Sequence, residues 1–207
     1  AHHHHSAMLS LFQIMDVMDR GDLKNDLMQE LEKHKAMLAF FRTNPKIDSA
    51  KLNETLDLVN EQIDQLRAVT PKPVQELKQN DWLMSIKQRT GIPGGACEFD
   101  LPSYHFWRHR PAQERITELL EWTSPLHPLR DGSAIILRML RESGRPTPFT
   151  AQQGIFQQML GGKTAQMLRV RVDPSLACVP EISANKYVLN VRFLKSADAS
   201  RPQPIDC

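Results

Sequence analysis

"KYVLNVRFLK", residues 186–195, decides the fold class of this chain. Tyr187, Leu189, Val191 and Phe193 alternate with Val188, Asn190, Arg192 and Leu194. A period of two puts the first set on one face of a β-strand and the second on the other. The same period occurs upstream in "MLRVRVDP" (167–174). There Leu168, Val170 and Val172 share one face, and Arg169 and Arg171 the other. "TPFTAQQGIFQQML" (147–160) is strand-like and runs into "LGGKT", a turn sequence. The last third of the chain therefore reads as antiparallel β-structure.

The earlier residues carry a helical period. "MLSLFQIMDVMDR" (8–20) is amphipathic, and Gly21 followed by Asp22 supplies a stop and an N-cap. "DLKNDLMQELEKHKAMLAFF" (22–41) sets Leu23, Leu27, Leu31 and Leu38 against charges, until Asn44-Pro45 ends it. In 49–69, Leu52, Leu56, Val59, Ile63 and Leu66 repeat at spacings of 4-3-4-3. So short a heptad seam fits a packed helix pair better than a free coiled coil. "VQELKQNDWLMSIKQRT" (74–90) reads as one further helix, stopped by Gly91. "ACEFD" (96–100) alternates after the Gly94-Gly95 turn and reads as a short strand. Pro102 and Ser103 can open a helix that Pro111 closes, and 112–122 and 131–143 are two more, the second closed by Gly144. The expected architecture is α+β: a mainly helical domain over 8–145 with a short strand near 96–100, a β-strand domain over 146–195, and a tail over 196–207.

Composition narrows the function. Of 207 residues, 41% are hydrophobic and 24% charged, an ordinary globular balance. A net charge of +2 is too small to imply a nucleic-acid protein, so any basic function must come from local clustering. Three cysteines without CxxC spacing point to a reducing compartment. No apolar run approaches a membrane span, and no signal peptide is visible. The chain opens "AHHHHSAM" without an initiator Met, readable as a tag or as a native His-rich run, so His2–His5 are set aside from site reasoning. The Pro/Ser-rich tail "SADASRPQPIDC" is expected to fray.

Familiar chemistries fail on spacing. "GGKT" at 161–164 would be a phosphate loop only with Gly at 157, where the chain has Gln157. His105 and His109 share a helix face near Cys97, but no third ligand stands at a supporting spacing and Arg108 adds a cation, so no metal site is expected. No nucleophile or zinc-protease motif occurs, and neither catalysis nor a cofactor is expected. What remains is basic. On the helix after Pro102, His105, Arg108 and His109 fall on one face, while Tyr104 and Trp107 fall on another and can anchor it. Arg169 and Arg171 project from one strand face without alternating acids, and Arg192 from the polar face of its own strand. Guanidinium groups arranged this way suit carboxylates through forked hydrogen bonds, and also phosphates. From the residues alone, the reading is an anion- or acidic-peptide-binding face, with nucleic acid as the alternative ligand of that face. Tyr187 and Phe193 fall on the apolar side, away from Arg192, which disfavours base stacking.

The block "IPGGACEFDLPSYHFWRHRP" (92–111), with "DVMDRGDLKNDLMQELEK" (16–33), "IKQR" (86–89) and "ISANKYVLNVRF" (182–193), resembles the ZapD family of bacterial cell-division proteins. Order and spacing agree from about Leu9 onward. The resemblance implies a helical domain plus a β domain, a symmetric homodimer, and a cytoplasmic protein at the mid-cell division ring. The implied activity is to cross-link and bundle FtsZ filaments by holding the FtsZ C-terminal tail in a basic pocket, without membrane or nucleic-acid binding. Arg20, His105 and Arg192 match the family's basic positions; Arg108, Lys186, Arg169 and Arg171 complete the candidate set. Val188 and Trp82 stand where some members carry a basic residue. The family's N-terminal strand and first helix, and its last strand, have no counterpart here.

Overall fold

Short polar side chains fix where the helices begin. Asp22 accepts the Asn25 N–H at 3.2 Å, Asp48 accepts those of Ala50 and Lys51 at 2.9 and 3.3 Å, and Asn80 accepts that of Leu83 at 3.0 Å. Each cap satisfies a backbone donor that the first turn leaves unpaired. The computed structural model describes residues 2–19, 21–70, 73–162 and 165–195. Arg20, Lys163, Thr164 and the tail from 196 onward lie outside the described residues. Two units divide the chain, Ala1–Leu137 and Arg138–Cys207.

The first unit is helical. It contains α1 (His2–Met18), α2 (Leu23–Phe40), α3 (Ser49–Ala68), α4 (Val74–Lys78), α5 (Asp81–Thr90), α6 (Pro102–His109), α7 (Ala112–Thr123) and the first turns of α8 (His127–Ser143). All five apolar residues of the 4-3-4-3 seam on α3 are buried, so the seam is core. Burying each side chain of this kind contributes roughly 1.5–3 kcal/mol. α2 packs on α3, with Leu27 and Leu31 buried. α8 crosses α3 at Gly132, where a Cβ would stand 3.3 Å from Leu66 Cδ1, and beside it Gln62 Nε2 donates to the Pro128 carbonyl at 2.8 Å. Met8, Leu11, Phe12 and Met15 form the buried stripe of α1, which contacts α5 and α7.

Two expectations for this unit are corrected. Residues 74–90 form two helices, because Asn80 caps a new helix after α4 ends at Lys78. Residues 96–100 are turns, not a strand. Bonds from Gly95 N to Ile92 O (2.9 Å), Cys97 N to Gly94 O (3.1 Å) and Leu101 N to Cys97 O (3.0 Å) close the backbone on itself. Gly95 fits that coil because any Cβ would lie 2.5 Å from the Arg89 carbonyl oxygen.

The second unit holds the end of α8 and an antiparallel sheet of β1 (Ile155–Met159), β2 (Cys178–Ala184) and β3 (Val188–Lys195), in the order β1-β3-β2. β3, the strand whose alternation decided the fold class, is central. Leu189, Val191 and Phe193 are buried with Ala151, and Phe156, Val170, Val172 and Cys178 pack against them. Tyr187, expected on that face, is 60% exposed, because it lies in the β2–β3 turn with Lys186 Nζ 4.8 Å from its ring centroid. Asn185 closes that turn by accepting the N–H groups of Tyr187 and Val188 at 2.8 and 2.9 Å. β2 was not foreseen, and Met167–Val172, expected as a strand, pairs with no strand among the described residues. The architecture is α+β.

Candidate functional site

The predicted basic residues fall in both units. In the first, α6 is held by aromatic contacts. Tyr104 and Trp107 are buried and stacked, with centroids 5.8 Å apart; Trp122 stacks on Trp107 in turn at 6.1 Å, and Trp82 meets Tyr104 edgewise and Trp107 at a tilt. α1 joins this cluster through the residues set aside as a possible tag. His5 Nδ1 lies 2.6 Å from the Tyr104 hydroxyl, and the His4 ring is 6.4 Å from Trp107. Burial and then the Arg115 charge hold His4 below its ordinary pKa.

Against this anchor the basic side chains of α6 behave differently from one another. His105 is half-exposed, with Nδ1 3.5 Å from Glu98 Oε2 and its ring 4.3 Å from that of His109. Arg108, expected on the outer face with His105, instead leans over the Tyr104 ring at 5.9 Å and is half-buried. Its position four residues after Tyr104 allows this, and the ring face attracts the cation. Arg110 is occupied by Glu114 and Glu118. Glu118 also accepts the Trp107 indole N–H. Burial disfavours the Glu118 anion, but the bonds from Trp107 and Arg110 outweigh it and the carboxyl lies below its ordinary pKa. Arg115, 7% exposed, donates to the Arg108 carbonyl and ties α7 to α6. Of the basic side chains of α6, His105 is thus the one that faces outward beside Glu98, and Phe99 and Phe106, close to it in sequence, are 90% and 70% exposed.

In the second unit the sheet has two chemically distinct faces. Arg192 is exposed on the outer face, opposite Glu181 of β2 and Ile155 of β1. The inner face, carrying Leu189, Val191 and Phe193, floors a cavity of about 390 Å³. Arg169 and Arg171 border this cavity and not the Arg192 face. Lys186 stands in the turn over Tyr187. Two further arginines, Arg141 and Arg145, border the cavity from the end of α8 and the segment after it, and sequence reasoning missed both. They sit near a helix end among ordinary surface charges, and no local pattern marks them. Arg169 Nη2 donates to the Arg141 carbonyl at 3.1 Å, which ties Arg169 to the end of α8. Among the described residues, none of these arginines nor Arg192 forms an ion pair with a carboxylate, whereas Arg67, Arg89, Arg110 and Arg130 each do. Unneutralised guanidinium groups beside an apolar floor can bind carboxylates or phosphates while sheltering an apolar group.

The arrangement can be set beside known proteins. The family described as "ZapD: Cell division protein" matches residues 1–192, the His-rich start included. A cell division protein ZapD of Chromobacterium violaceum is 47% identical over 203 residues, covering 98% of this chain and 81% of that protein. The protein of the same name from Dechloromonas aromatica is 51% identical over 192 residues, covering 93% of this chain and 76% of its own length. That of Cupriavidus necator is 46% identical over 207 residues, covering 100% of this chain and 82% of its own. No helix among the described residues is long and apolar enough to cross a membrane. With a family match over almost the whole length and relatives near half identity, the chain belongs to the ZapD family and its role lies in cell division.

Proposed function

We propose that the protein binds the C-terminal tail of FtsZ and, as a cytoplasmic homodimer at the division ring, cross-links FtsZ filaments into bundles. It acts by binding, without catalysis or cofactor. The observation that carries this reading is the set of arginines in the second unit without carboxylate partners among the described residues, next to apolar surface. Such a surface complements a flexible tail that is acidic and hydrophobic. Arg192 and His105 are the side chains we assign first to tail binding, followed by Arg20, Arg108, Lys186, Arg169 and Arg171.

A single tail contact can be weak. A dimer presents two sites, and a filament presents many tails, so the second contact forms at high effective concentration and the array holds. Co-sedimentation with FtsZ polymers, with and without the FtsZ tail, tests the reading. The protein should pellet with full-length polymers and stay in solution with tailless ones. Equal pelleting with both would contradict it. One observation favours nucleic acid as a second reading: Phe149 and Phe156, centroids 4.8 Å apart, stand in the arginine-bordered cavity where bases could stack.

A further inference from the structure

The cavity of the second unit combines features that no predicted residue set contained. Its floor is the buried face of β3, made by Leu189, Val191 and Phe193. Its border carries Arg141, Arg145, Arg169 and Arg171, all exposed. No Asp or Glu among the described residues lines it. A volume of about 390 Å³ lies within the range of small-ligand pockets and accommodates a large apolar side chain with part of its backbone. Apolar surface bordered by arginines is the complement of a peptide that places an apolar residue between acidic ones.

We propose that this cavity seats an acidic peptide by one apolar side chain, with Arg141, Arg145, Arg169 and Arg171 taking the flanking carboxylates. The proposal rests on the tail-binding reading above and adds to it a seat, two new arginines and a ligand pattern. Arg192 lies on the opposite face of the same sheet, so its contribution to binding is separate from this seat. The local design supports the assignment. The Arg169–Arg141 bond fixes one arginine at the α8 terminus, so part of the guanidinium array is ordered before a ligand arrives. Nucleic acid fits less well, because a pocket sized for one group does not extend a charged track along a phosphate backbone.

The test uses the full chain and three probes: a fluorescent peptide of the FtsZ C-terminal tail, an unrelated Asp/Glu-rich peptide with a single Leu, and a single-stranded oligonucleotide. Binding is followed by anisotropy, and the Leu189 and Val191 methyl groups by NMR. The tail peptide should shift those methyls, and R141Q/R145Q should weaken it by about tenfold or more, the order expected from losing one charge-assisted hydrogen bond. Neither Arg141 nor Arg145 uses its guanidinium in a bond among the described residues, so the double variant should keep the wild-type circular dichroism and methyl spectrum. If the tail binds, but the double variant binds it equally and the methyls do not move, the cavity is not the seat and the tail-binding reading survives. If the unrelated peptide moves the methyls and the tail peptide does not bind, the cavity stands and the tail-binding reading falls. Oligonucleotide binding in preference to both peptides overturns the proposal.

Discussion

Arg192 and Glu181 stand directly opposite each other across β3 and β2. That register shapes how the arginine should be tested. Arg192→Glu would set two carboxylates face to face and cost about 0.2–1 kcal/mol of sheet stability, whereas Arg192→Gln removes the charge alone. Both should lose most co-sedimentation with FtsZ polymers while keeping the helical signal; normal pelleting of the Gln variant would remove Arg192 from the site. A second prediction comes from two titrating groups of the first unit. His4 has a lowered pKa, so the unfolded chain takes up its proton more readily than the folded one. Its stabilisation is complete above the ordinary histidine range and declines as pH falls through it. Glu118 is also lowered, so its contribution is present above the ordinary carboxylate range and is lost as pH falls through its folded value. The urea midpoint should therefore drop in two stages on acidification, the first beginning as pH falls through the ordinary histidine range and the second below the ordinary carboxylate range. His4→Gln should flatten the first stage and Glu118→Gln the second. A midpoint independent of pH would contradict this account of the aromatic cluster.

At the scale of elements, the crossing of α3 and α8 is the most sensitive joint. Gly132→Ala should be nearly neutral, because about 1 kcal/mol of helix propensity is set against a Cβ 3.3 Å from Leu66. Gly132→Leu should destabilise by about 1–3 kcal/mol through overpacking, measured by urea unfolding. A Leu variant as stable as the parent would show that the helices do not meet as described. This is also the scale at which legibility varied most. The α3 seam could be read because burial follows helical period. β3 could be read because Leu189, Val191 and Phe193 alternate with the polar Asn190 and Arg192. β2 was hidden by Pro180, which argues against a central strand; yet β2 is an edge strand, where a missing N–H is tolerated. The opposite error fell on 96–100 and 167–172. Alternation there describes side-chain direction, but a strand also needs a partner, and local turn bonds took the first segment. The split of 74–90 at Asn80 was legible in principle, since Asn is a strong N-cap, but the apolar period runs through it.

For the whole molecule, the candidate site was legible only as residue types. Arginines were visible at 169, 171 and 192, but only the fold separates the first two from the third across the sheet and adds Arg141 and Arg145. The same holds for the histidine run. Four consecutive His suggest a tag, and only tertiary packing reveals that His4 and His5 meet Trp107 and Tyr104. If exposed charges drive recognition, bundling should weaken steadily as salt rises from about 0.05 M to about 0.5 M, and a salt-insensitive bundle would point to apolar contact alone. The central claim is that this protein grips the FtsZ tail with cationic side chains. Co-sedimentation with FtsZ polymers bearing or lacking that tail tests it most directly. The account predicts pelleting that requires the tail; pelleting that persists undiminished without it, or none with either polymer, would contradict it.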